Sequence, residues 1–141
     1  MIDYPEGLDG QGKGGGRVKI LRDLDEDGVY DKATVLIDGL QFPTGVMVWR
    51  DGVLITAAPD VLYVQDTDGD DVADVRQTPF TGFGLGNQQH RVNGLVYGPD
   101  HWVYLANGSS GGAVSGEGPT VDVRGRDIRI APDTGRVEAV S

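Results

Sequence analysis

The amino-acid sequence predicts an all-β protein, and three observations support this fold class. Short apolar runs such as "RVKIL", "GVMVW" and "WVYLA" are rich in Val, Ile, Leu and Tyr and are bounded by Gly, Pro or Asp, which is typical of strands. No window keeps apolar residues at helical spacing over several turns. Glycine accounts for 23 of the 141 residues without a collagen-like period, which predicts many tight turns.

The strands recur as a set, and two acidic stretches mark the repeat. "DLDEDGVYD" occupies residues 23–31 and "DTDGDDVAD" occupies residues 66–74, so the second copy follows the first by 43 residues. Six extra residues then change the offset to 49, at which Gly45 matches Gly94. A period of about 40–50 residues with four short strands per unit is typical of a β-propeller. We therefore expect a propeller fragment of about two and a half four-stranded antiparallel blades.

The repeat divides the chain into a short and a long region. Residues 1–16 are predicted to be a glycine-rich loop at a truncated start, and residues 17–141 a partial propeller. Within this region we expect half a blade over 17–40, a complete blade over 44–83 and a further blade over 92–141. In the complete blade the first and third strands should run parallel to each other, one strand apart.

Charge and composition limit the classes of partner. Lys and Arg total 12 against 22 Asp and Glu, which gives a net charge of −10. Such a field disfavours nucleic acid and anionic membrane surfaces and favours cations. The absence of cysteine excludes disulfides and thiolate metal sites within the chain. Neither a basic and apolar leader nor an apolar run of about 18 residues is visible.

Each acidic stretch is predicted to be a hairpin loop between the third and outermost strands of its blade, and two readings compete for it. One is a solvated polar turn; the other is a structural Ca²⁺ site, because alternate carboxylates can converge on one cation. The second stretch has Asp71 where the turn glycine, Gly28, stands in the first. The pattern resembles the calcium hairpins of integrin-type propellers. The predicted ligands are Asp23, Asp25, Asp27, the Val29 carbonyl and Asp31 in the first loop, and Asp66, Asp68, Asp70, the Val72 carbonyl and Asp74 in the second.

The opposite face is predicted to carry the functional site, because the longest loops emerge there. One of them, "GFGLGNQQHR", leads into an innermost strand, and the other begins at Asn107. We expect His90 on this face, near the loop that holds Asn107 and Ser109. The alternative reading is an ordinary polar surface loop. The candidate catalytic residue is His90, and the candidate substrate- or cofactor-binding residues are Gln88, Gln89, Arg91, Asn93 and Asn107.

Residues 90–108, "HRVNGLVYGPDHWVYLANG", resemble a stretch of the soluble quinoprotein glucose dehydrogenases and the wider glucose/sorbosone dehydrogenase group. "FPTGV", "TGFGLGNQQHRVNGL" and "ANGSSGG" resemble the bacterial membrane-bound dehydrogenase domain proteins more closely. This resemblance implies that His90 is the base beside pyrroloquinoline quinone, with a sugar or alcohol as substrate. It also implies a periplasmic or cell-envelope location, remaining propeller blades in a longer chain and a c-type haem domain as a partner.

Two functions therefore remain open. The first is a sugar or alcohol dehydrogenase, in which His90 takes the hydroxyl proton as hydride leaves for a quinone. The second is a non-catalytic, calcium-stabilised propeller that binds a glycan or a protein through the same face.

Overall fold

The computed structural model describes residues 2–3 and 14–140, and this part of the chain is all-β. It contains thirteen strands and a single 3₁₀ turn at Gln88–His90, with no α-helix among the described residues. The expected fold class is confirmed at this level. No helix in the described ranges is long and apolar enough to cross a membrane.

The first sheet contains three antiparallel strands in chain order: β1 (Ile2–Asp3), β2 (Gly16–Arg22) and β3 (Lys32–Leu40). The strand at Ile2–Asp3 corrects the expectation of a loop throughout 1–16, because its backbone pairs with Val18 and Arg17 of β2. The rest of that expected loop, at residues 4–13, lies outside the described residues.

The second sheet is central and has six strands in the order β11-β10-β7-β6-β5-β4. All of its pairings are antiparallel, so β4 and β6 run parallel to each other with β5 between them, as predicted. Its strands are β4 (Gly45–Trp49), β5 (Gly52–Ala57), β6 (Asp60–Gln65), β7 (Val75–Phe83), β10 (Gly112–Ser115) and β11 (Val121–Asp122).

The two added strands correct the expected four-stranded unit over 44–83. They come from the long loop after Asn107 and pair with the outer edge of β7, where Gly112 lies opposite Phe83. Glycine permits this close approach: a Cβ on Gly82 would lie 2.1 Å from the Ala113 carbonyl oxygen. Gly82 also adopts a φ of 101°, which residues with side chains rarely adopt.

The third sheet has the strand order expected for residues 92–141, namely β13-β12-β9-β8. Its strands are β8 (Asn93–Tyr97), β9 (Val103–Ala106), β12 (Ile128–Ala131) and β13 (Arg136–Ala139).

The three sheets stack face to face, with the second sheet in the middle. Alternation along β5 places Leu54 and Ile55 on opposite faces, and both are fully buried. Ile55 joins Val18 and Leu36 in the core against the first sheet. Leu54 joins a larger core against the third sheet, which includes Phe80, Phe83, Val103, Leu105, Ile128 and Ile130.

The stacked sheets have two distinct ends. Residues 23–31 (loop 1) join β2 to β3, and residues 66–74 (loop 2) join β6 to β7. The two loops lie at the same end, because Asp71 of loop 2 pairs with Arg22 and Lys32, the residues that flank loop 1. β7 runs from loop 2 to the segment 84–92, so this segment lies at the opposite end, which we call the mouth end.

Candidate functional site

Loop 1 brings three of its predicted ligands together. Carboxylate oxygens of Asp23, Asp25 and Asp27 lie within 4.8 Å of one another. Backbone amides shape the loop: Gly28 N donates to Asp23 Oδ2 at 2.9 Å, and Val29 N donates to Asp27 Oδ1 at 2.8 Å. The second Asp23 oxygen, Oδ1, is buried and has no hydrogen-bond partner among the described residues. One carboxylate oxygen is therefore left for a cation.

The predicted closing ligand of loop 1 has another contact. Asp31 is outside the three-carboxylate group, and its Oδ2 accepts the Leu24 amide at 2.7 Å. The hairpin is thereby closed across its base, independently of any ion. Val29, whose carbonyl was the fifth predicted ligand, has an exposed side chain at the loop tip.

Loop 2 repeats this arrangement with more internal hydrogen bonds. Asp66, Asp68 and Asp70 form the equivalent carboxylate group. Asp66 uses both oxygens, because Oδ1 accepts the Gly69 amide at 2.7 Å and Oδ2 accepts the Asp71 amide at 2.8 Å. These amides, that of Gly69 foremost, hold the pKa of Asp66 below its usual value. Asp74, like Asp31, closes the hairpin base by accepting the Thr67 amide, and Val72 N donates to Asp70 Oδ1.

Asp71 has a role that its position as a turn residue does not indicate. Its φ of 69° is left-handed, which aspartate tolerates better than most residues. Only 4% of the residue is exposed, and its carboxylate pairs with Arg22 and Lys32, the residues that flank loop 1. Arg22 is the main cause of the lowered pKa of Asp71. Asp71 therefore joins loop 2 to the base of loop 1.

At the mouth end, three predicted binding residues line one open cavity of about 620 Å³. Gln88, Gln89 and Asn93 belong to this lining. The 3₁₀ turn positions the glutamines, since Asn87 Oδ1 accepts the Gln89 amide at 3.0 Å. The complete lining, which we call the mouth pocket, is Phe42, Thr44, Gln88, Gln89, Asn93 and Gly94.

His90 follows these glutamines but is not part of the lining. Its side chain is exposed, and Nδ1 shares a hydrogen bond with Ser109 Oγ. The expected proximity of His90 to the long loop is therefore observed. A Cβ on Gly108 would lie 3.1 Å from His90 Cβ, so the two segments are packed closely. Nε2 has no hydrogen-bond partner in the described part of the chain.

The remaining two predicted binding residues lie in the interior. Arg91 is 1% exposed, and its Nη2 donates to the Leu85 carbonyl at 3.0 Å. Its Cζ lies 5.4 Å from the centre of the Phe42 ring. Asn107 is 4% exposed, and its Nδ2 donates to the Val123 carbonyl at 2.7 Å. Asn107 therefore braces the long loop in this conformation.

Comparison with known proteins identifies a family and no further relative. The family described as "Domain of unknown function (DUF7133)" matches residues 1–141. The chain belongs to this family. No curated protein and no solved structure matches it significantly.

The DUF7133 chain also has pocket residues that the sequence reasoning missed. Phe42 and Thr44 precede β4, and at the equivalent positions Arg91 precedes β8 and Asn93 begins it. The offset is 49 in both cases, so equivalent positions of the two repeat copies meet at the mouth. The same offset, extended a few residues before Gly45, could have found them.

Proposed function

We propose that this DUF7133 domain is part of a β-propeller that binds Ca²⁺ at its acidic loops and a sugar or alcohol in the mouth pocket. The calcium sites are structural elements at one end, and the ligand site lies at the other. The proposed binding function rests on one observation: the side-chain amides of Gln88, Gln89 and Asn93 line the mouth pocket.

Packing of the three sheets supports the propeller. Antiparallel sheets stack along both faces of the second sheet, as blades do around an axis. The innermost strands of neighbouring sheets, β4 and β8, are in contact. Val46 and Val48 on β4 are 41% and 78% exposed. An innermost strand of the first sheet, packed beside β4, would cover these two valines.

The donor chemistry of loop 1 fits Ca²⁺. This ion takes about six to eight oxygen ligands, and carboxylate and carbonyl oxygens suit it. Asp23, Asp25 and Asp27 supply a compact oxygen group, with Asp23 Oδ1 free to bind. Loop 2 fits less well, because both oxygens of Asp66 already accept backbone amides. We therefore assign the tighter site to loop 1.

The lining of the mouth pocket suits the hydroxyl groups of a ligand. Glutamine and asparagine amides each donate and accept, so they match hydroxyl groups, and the Phe42 face can cover the C–H face of a sugar ring. The volume lies within the range of about 300–1,000 Å³ usual for small-molecule sites.

Titration calorimetry with a panel of monosaccharides and polyols tests this function. Gln88→Ala and Asn93→Ala should each weaken binding by up to about tenfold, the effect of one lost hydrogen bond. Gln77→Ala is the matched control, because Gln77 is an exposed glutamine near the acidic end of β7. An affinity that neither pocket substitution changes, or no binding at all, would overturn the proposal.

Dehydrogenase activity is the second candidate, and the geometry of His90 favours it. When Nδ1–H donates to Ser109 Oγ, Nε2 is left to accept a proton from a hydroxyl group near the Gln88–His90 turn. None of the six lining residues is cationic, so the carboxylates of pyrroloquinoline quinone, the hydride acceptor in this reading, would have Arg91 behind the Phe42 ring as a nearby cation. In this reading His90→Ala lowers turnover by about 10²–10⁴-fold with little change in melting temperature. Retained turnover with earlier unfolding would make His90 a structural residue.

A further inference from the structure

Arg91 is a buried cation that lacks the partners such a group needs. Its guanidinium offers five N–H donors, and Nη2 makes the one hydrogen bond that it has, to the Leu85 carbonyl. Nε and Nη1 are buried without a hydrogen-bond partner among the described residues. No carboxylate in the described ranges forms an ion pair with it. A buried guanidinium in this state is unfavourable unless an anion or water binds to it.

The mouth end can accept an anion despite the net charge of −10. Residues 40–45, 82–94 and 107–112, which include the lining of the mouth pocket, contain no Asp or Glu. Four aspartates lie toward the same end among the residues described from 14 onward, and each accepts a hydrogen bond: Asp38 from the Gly39 amide, Asp60 from the Thr81 hydroxyl, Asp122 from the Arg124 amide and Asp127 from the Asn107 amide. Loops 1 and 2, with five carboxylates each, lie at the other end of the sheets.

Phe42 connects Arg91 to the mouth pocket. Its ring packs against the guanidinium and also lines the pocket. The Arg91 carbonyl accepts Asn93 Nδ2 at 2.9 Å, so a second lining residue is tied to the same position. The Phe42 ring therefore lies between the pocket and the Arg91 guanidinium, and a pocket ligand would bind Arg91 only if this ring moves aside.

We propose that the ligand of the mouth pocket carries a carboxylate, as in a uronic or aldonic acid, and that Arg91 binds this carboxylate. The inference rests on the proposed sugar-binding function and specifies its ligand class. Guanidinium and carboxylate match in geometry and charge, whereas the amides of Gln88, Gln89 and Asn93 would hold the hydroxyl groups.

Paired ligands that differ only in the acid test this inference. Calorimetry at constant ionic strength should show that glucuronate binds at least about tenfold more tightly than glucose, the usual effect of one additional charge-assisted hydrogen bond. Acetate should bind weakly, because it lacks hydroxyl groups. Equal affinity for glucose and glucuronate would overturn the inference and leave the proposed function standing. If none of the sugars binds, the proposed function fails together with the inference.

Substitution of Arg91 separates ligand binding from a structural role. Arg91→Met should abolish the preference for glucuronate without lowering the melting temperature, because an apolar side chain of similar length replaces an unpaired buried charge. Arg91→Lys keeps the charge and loses the planar fork, so it should fold and show a reduced preference. Arg124→Met, an exposed control at the same end, should change neither quantity. An unchanged preference in Arg91→Lys, or in a folded Arg91→Met, would overturn the inference.

Discussion

Loops 1 and 2 share the spacing of their carboxylates but differ in what holds those carboxylates in place. In loop 2, Asp66 accepts backbone amides with both oxygens. In loop 1, the equivalent Asp23 accepts one amide and leaves Oδ1 without a partner in the described part of the chain. The same sequence pattern therefore produces one loop in which backbone amides bind both oxygens of the first aspartate and one in which an oxygen of that aspartate has no partner among the described residues.

The basic residues next to loop 1 increase this difference. Arg22 precedes Asp23, and Lys32 follows Asp31, but both pair with Asp71 of loop 2. No ion pair involves a carboxylate of loop 1 within residues 14–140. Loop 1 also exposes three large apolar residues to solvent. The exposed fractions of Leu24, Val29 and Tyr30 are 65%, 63% and 66%. The tip of loop 1 therefore lacks a counterpart of Ala73 in loop 2, which is partly buried against the core.

The largest expected effect is that of Ca²⁺ on thermal stability. At about 100 times the dissociation constant, binding to the native state contributes about 2.7 kcal/mol, which corresponds to roughly 8 °C for a chain of this length. Asp27→Ala should remove most of this rise, and Asp70→Ala should remove less. Melting curves with calcium and with chelator measure the difference.

Asp51→Ala is the control for this experiment, because Asp51 is exposed in the β4–β5 turn at the same end of the sheets. Its calcium-dependent rise should equal that of the unsubstituted protein. Identical melting temperatures with and without calcium would leave both loops as solvated turns.

A smaller effect should distinguish the loops in the absence of calcium. Asp66→Ala removes the acceptor for three backbone amides, whereas Asp23→Ala removes the acceptor for one. In chelator, Asp66→Ala should therefore lower the melting temperature by about 3–5 °C more than Asp23→Ala does. The gap should narrow in calcium, where Asp23 becomes a ligand. An equal loss in chelator would show that backbone hydrogen bonds do not account for the difference.

The smallest effect concerns acid stability and Asp71. Arg22, and after it Lys32, lower the pKa of Asp71 below its ordinary value of 3.8. The stability that Asp71 contributes is therefore complete above pH 3.8 and is lost as the pH falls through the depressed pKa of the folded state. Asp71→Asn should lower the melting temperature slightly at neutral pH and flatten its decline below about pH 4. An unchanged decline of the melting temperature below about pH 4 would argue that the ion pairs of Asp71 with Arg22 and Lys32 do not stabilise the fold.

The local and periodic features of this fold could be predicted from the sequence. Apolar runs with a 43-residue offset located the strands and both acidic hairpins, because strand alternation and turn residues are local properties. The pairing of Gly112 with Phe83 could not be predicted, since it depends on a distant glycine-rich segment meeting the edge of β7. The contact between Asp71 and Arg22 spans 49 residues and has no local signal.

In the candidate site, too, local features were predictable and long-range contacts were not. The polar group at residues 88–93 was found from composition and loop length, and three of its members line the mouth pocket. The burial of Arg91 was not predictable, because an arginine in a polar loop is usually exposed. Its position depends on the Phe42 ring, which comes from the preceding repeat copy.

Calcium titration calorimetry tests the central claim, that loop 1 is a Ca²⁺ site which depends on its ion more than loop 2 does. The account predicts two classes of site in the unsubstituted protein, of which Asp27→Ala removes the tighter and Asp70→Ala the weaker. Loss of the weaker class in Asp27→Ala, or the absence of any calcium binding, would contradict it.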